Sequence, residues 1–112
     1  MILKDAILSE GLELAMEFGP NWLKPIQGRL KARHPELSAP ELDEYERICR
    51  AALQLGTSAV PACWRQAGDE PGAFRQWTQL VKRQYPWMSD SNLKHLFSQG
   101  CYYAWKDGEL PV

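Results

Sequence analysis

Thiols, imidazoles and carboxylates are the groups through which a chain could attack a substrate, move a proton or hold a metal. This sequence has three cysteines, Cys49, Cys63 and Cys101, and two histidines, His34 and His95. No two of these five stand three or four residues apart, and no Cys-x-x-Cys knuckle is present, so the spacing predicts no zinc site. His95 lies about 240° around a helix from Cys101 at 3.6 residues per turn, too far round to act as its base. The acid pairs Glu41/Glu44 and Asp43/Glu46 have helical spacing but fall on the polar side of their segment, where they solvate the surface. There is no glycine-rich phosphate loop, no G-x-S-x-G and no H-E-x-x-H. The expectation is a non-enzymatic chain with no cofactor and no metal.

Binding chemistry is better represented. Of twelve aromatic residues, eight lie between Phe74 and Trp105. Tyr102, Tyr103 and Trp105 point in different directions around one helix, so a single buried layer cannot hold them all and at least one faces solvent. Exposed tyrosine and tryptophan anchor protein interfaces and stack on unpaired bases. Charge is also uneven. Residues 1–46 hold nine acids and five bases, net −4, whereas residues 71–106 hold Arg75, Lys82, Arg83, Lys94 and Lys106 against Asp90, net +4. Such a bipolar chain favours self-association or an anionic partner at its C-terminal half.

The elements that must position these groups read as helices. Strand alternation is nearly absent, while apolar residues recur at helical spacing. Leu3, Ile7, Leu14, Ala15 and Phe18 mark a first helix that Gly19-Pro20 ends. A second runs from near Pro20 to Arg33 with Leu23, Ile26 and Leu30 inward, and His34-Pro35-Glu36-Leu37 is a connector. Ser38 caps a third helix, with Glu41 completing a capping box. Its stripe is Leu42, Tyr45, Cys49, Ala52 and Leu53, and Gly56 is expected to stop it. Thr57 or Ser58 caps a short fourth helix through Ala67, ended by Gly68. A fifth runs from about Pro71 to Gln84 with Phe74, Trp77 and Val81 inward. After Tyr85-Pro86-Trp87-Met88, Ser89 caps a sixth that reaches Lys106 before Gly108. In that last helix Leu93, Leu96, Phe97, Gly100, Cys101 and Ala104 form the buried stripe. Gly100, in mid-stripe, implies a close neighbouring helix.

A shift of 51 residues aligns the two halves, 6–56 and 57–107, without gaps. Pro20 falls on Pro71, Lys31 on Lys82, Pro35 on Pro86, Ser38 on Ser89 and Leu42 on Leu93. The same pattern is also a general stop-and-restart grammar, so duplication and coincidence both remain open at this stage. The 112 residues suit one domain, 1–112, an all-α compact bundle of five or six helices with two similar three-helix halves.

A net charge of −1 disfavours a general nucleic-acid binder. An odd number of widely spaced cysteines fits free thiols in a reducing compartment. Acids at Asp5 and Glu10 break any signal-peptide core, and the longest uncharged stretch, Ala51 to Trp64, is too short to span a membrane. These point to a cytoplasmic protein with no membrane partner. The expected function is a protein-binding module of adaptor, inhibitor or antidote type, with a homodimer as one form of the partnership. Its surface is expected on Trp87, His95, Gln99, Tyr102, Trp105 and Lys106. The alternative is a helix-turn-helix-like nucleic-acid regulator over 74–106, with Asn92, His95 and Gln99 near base edges and Lys82, Arg83 and Lys94 near phosphates.

Overall fold

Prolines, capping residues and left-handed glycines divide the chain into six α-helices in the computed structural model, which describes residues 2–110. These are α1 Asp5–Ala15, α2 Gln27–Arg33, α3 Ala39–Ser58, α4 Val60–Ala67, α5 Glu70–Gln84 and α6 Asp90–Lys106, with a 3-10 turn at Gly19–Asn21. No strand occurs among the described residues, so the chain is all-α. Among the described residues no helix is long and apolar enough to cross a membrane. The chain divides into two compact units, one up to Leu53 and one from Gln54 onward.

In the first unit α1 buries Ile7, Leu8, Leu12 and Leu14, and α3 buries Leu42, Tyr45, Cys49, Ala52 and Leu53. The two helices approach closely at Gly11, where a Cβ would lie 2.8 Å from Cys49 Sγ. Burial and the nearby Glu46 carboxylate push the Cys49 thiol up to about 12. Two expectations fail here. α1 ends at Ala15, so Phe18 lies outside it and is exposed, and α2 starts at Gln27 rather than near Pro20. Pro25 disfavours helical backbone at Lys24, and Leu23 adopts φ +64° with its side chain in solvent instead of inward. Ile26 and Leu30 are buried as expected.

The second unit is built around Trp77. Its ring is fully buried and its indole N–H donates to the Gly56 carbonyl at 2.7 Å. That contact, with Leu96 packed on Gly56, explains why Gly56 does not stop α3. A Cβ at Gly56 would fall 2.3 Å from Leu96 Cδ2, so the glycine serves close packing inside the helix. Thr57 and Ser58 do not cap α4 either, because their hydroxyls bond back to the Gln54 and Leu55 carbonyls at 3.3 Å. Gly100 receives Val60, whose Cγ2 would lie 2.6 Å from an added Cβ. Gly68, at φ +81°, ends α4, and Asp69 caps α5 by accepting from the Gly72 N–H at 2.7 Å.

The two connectors, 51 residues apart, have similar backbones. His34 has φ −131°, ψ 75° and Tyr85 has φ −129°, ψ 70°. Ser38 and Ser89 each accept from the N–H three residues on, at 3.3 and 3.2 Å. Leu37 and Met88 are buried behind them. Upstream the halves diverge, since residues 70–84 form one helix and residues 19–33 are broken.

Candidate functional site

A groove of about 500 Å³ lies between α4, α5 and α6 in the second unit. α4 supplies Trp64, α5 supplies Glu70, Pro71 and Phe74, and α6 supplies Lys94, Phe97, Ser98 and Cys101. Helical spacing explains the set. Glu70 and Phe74 are one turn apart, and Lys94, Ser98 and Cys101 follow the i, i+4, i+7 row of one face. The floor is aromatic. The Phe74 and Phe97 rings meet edge to face at 5.0 Å, and Phe97 meets Trp77 at 5.3 Å. The Trp64 indole N–H donates to Cys101 Sγ at 3.4 Å.

Glu70 and Lys94 place one negative and one positive charge among the lining residues. Burial pushes the Cys101 thiol up and the Glu70 carboxylate adds to this, outweighing the opposing hydrogen bond from Trp64. These surroundings favour the thiol form of Cys101 over the thiolate. Cavities of this size, apolar with a few polar groups, accept a side chain or small ligand.

The residues singled out from the sequence divide into three groups. Tyr102 and Trp105 are 49% and 65% exposed and lie together, with ring centroids 6.3 Å apart. Trp105 stands one turn beyond Cys101 on the groove row, and Lys106 is exposed in the same last turn of α6. His95 is exposed, but Gln99 is buried, with its Nε2 3.3 Å from His95 Nε2. Gln99 lies about 60° from Leu96 around the helix, inside the arc that packs on the unit. Trp87 lies in the connector before α6, at the opposite end of that helix from Trp105. There it is half-buried against Tyr85 at 5.9 Å. Asn92 is also buried, so of the three side chains placed near base edges only His95 reaches solvent.

Sequence reading missed the groove itself. Its signal was present in the row Lys94, Ser98, Cys101, Trp105, one column away from the polar face that drew attention. Trp64 carried no such signal, because only tertiary packing brings α4 beside α6.

Charge pairing separates the units. Glu17 pairs with Arg29 at 3.1 Å, Glu46 with Arg50 at 3.1 Å, Glu10 meets His34 at 2.6 Å and Glu44 bonds Arg47. Among the described residues none of Arg75, Lys82, Arg83, Lys94 or Lys106 makes an ion pair. No protein-family model matches the chain, and comparison with curated proteins and with solved structures gives no match.

Proposed function

We propose that this chain is a non-enzymatic protein-binding module whose second unit docks an apolar side chain of a partner protein. The observation that carries the reading is the α4–α6 groove, with an aromatic floor, Lys94 and Glu70 beside it and Trp105 exposed one turn further along α6. The partner segment has a leucine or aromatic anchor with a carboxylate beside it for Lys94. Aromatic anchors in desolvated pockets supply most of the energy of such contacts, and the outlying charges set orientation and on-rate. Cations on α5 and α6 that make no ion pair among the described residues extend the attraction toward an acidic partner.

The test uses Ser98→Arg, which lays a long side chain across the groove from an exposed helical position. Arginine is the better helix former of the two, so the fold is retained. Tagged wild type and variant are each incubated with nuclease-treated lysate, washed at low and high salt, and the bound chains identified by mass spectrometry. The reading expects a stoichiometric protein that survives nuclease and high salt and is lost with Ser98→Arg. Capture unaffected by Ser98→Arg, or material that vanishes with nuclease, contradicts it. The latter outcome would favour nucleic acid, whose binding falls steeply with salt.

A further inference from the structure

Glu70 and Lys94, the charged residues of the groove lining, stand at opposite ends of its aromatic floor. We propose that the groove accepts an extended segment of a partner protein whose apolar anchor lies between an acidic and a basic residue. The inference rests on the groove reading above and names the charge pattern of the segment that fits it.

The helices fix the two ends. Phe74 of α5 and Phe97 of α6 meet in the middle, with ring centroids 5.0 Å apart. On α6, Lys94 lies one turn before Phe97 and Cys101 one turn after it. Those two positions are about 10 Å apart along the axis at 1.5 Å per residue. On α5, Glu70 lies one turn before Phe74, and its carboxylate acts on the Cys101 thiol. Negative charge therefore sits at the Cys101 end and positive charge at the Lys94 end.

Neither charge is neutralised inside the chain. Both residues are exposed, and among the described residues neither makes an ion pair, with the other or with any third group. A segment carrying only acids would meet Glu70 with like charge, and one carrying only bases would meet Lys94 so. A segment with one of each, flanking the anchor, meets opposite charge at both ends. Extended backbone suits the span, because side chains at i, i+2 and i+4 line one face over about 13 Å. Reversing the chain direction exchanges the ends, so acid, anchor and base fit in either order.

Three blocked pentapeptides test this. Each has a central tryptophan flanked by alanines, and its ends are aspartate and lysine, two aspartates, or two lysines. Each is titrated at low salt into the isotope-labelled full chain and followed at the Trp64 indole N–H resonance. Wild type is expected to bind the mixed peptide about fivefold more tightly than either uniform one, the scale of one exposed ion pair. Glu70→Lys is expected to prefer the two-aspartate peptide, and Lys94→Glu the two-lysine peptide. Equal affinity of wild type for all three, no shift with any, or preferences that ignore the two reversals overturns the inference. If all three bind wild type equally and are lost together with Ser98→Arg, the groove reading stands and only the charge pattern falls. If Ser98→Arg weakens neither peptide binding nor capture of a partner, both fall.

Discussion

A methyl group added at Gly100 would lie 2.6 Å from Val60 Cγ2 and 3.2 Å from the Gly56 carbonyl oxygen, which cannot move aside as a long side chain can. Gly100→Ala should therefore destabilise the protein by about 1–3 kcal/mol, and Gly100→Leu by more. An unchanged denaturant midpoint for either would refute the close approach. At Leu23 the sign reverses. Glycine in a helix interior costs about 1 kcal/mol, but at φ +64° Leu23→Gly should be neutral or stabilising by up to about 1 kcal/mol. A clear loss of stability in urea would show that Leu23 holds its own fold together. The thiols give a third residue-scale expectation. Burial raises all three, Cys49 to about 12, so alkylation at neutral pH should be slow and slowest at Cys49. Rapid modification of Cys49 in the folded chain would contradict its packing between α1 and α3.

Elements were most legible where a cap or a left-handed glycine fixed their ends. The Ser38/Glu41 capping box forms as read, with Ser38 N–H donating to Glu41 Oε1 at 3.0 Å, and Ser89 caps α6. Ser89→Ala should cost about 1 kcal/mol, measured by thermal unfolding, and a wild-type midpoint would mean the cap is idle. At Glu41 the backbone N–H of Ser38, then its hydroxyl, holds the carboxyl below its ordinary 4.5. A lowered acid stabilises the fold above its ordinary pKa, and the contribution disappears as pH falls through the folded value. Glu41→Gln should thus lower the midpoint at neutral pH and approach wild type in acid, whereas a pH-independent difference would remove the charge from the explanation. The failures have one physical source. Gly56 reads locally as a stop, yet Leu96 and Trp77, distant in sequence, need it within the helix. Leu23 reads as inward by periodicity, yet Glu46, Arg29 and Arg50 draw the chain into another path. Tertiary partners decided both, and periodicity carries no record of them.

For the whole molecule, helix content and the absence of β-structure among the described residues followed from hydrophobic spacing and punctuation. The groove did not, because its walls come from three helices and only their packing brings Trp64, Phe74 and Cys101 together. The charge asymmetry was readable as a sum, but which charges are already paired was not: the first unit pairs many of its acids internally, and the cations of α5 and α6 make no ion pair among the described residues. The five tryptophans now give separate reporters, with Trp64 in the groove, Trp22 beside exposed Phe18, Trp105 near the groove, Trp77 buried and Trp87 in the connector before α6. The most direct test is to follow their indole N–H resonances in an isotope-labelled sample as the captured partner is titrated in. The account predicts that the Trp64 signal shifts first and saturably, with Trp105 following and Trp77 and Trp87 unmoved. A saturable shift at Trp87 with Trp64 unchanged would place the working surface at the other end of α6 and contradict the groove.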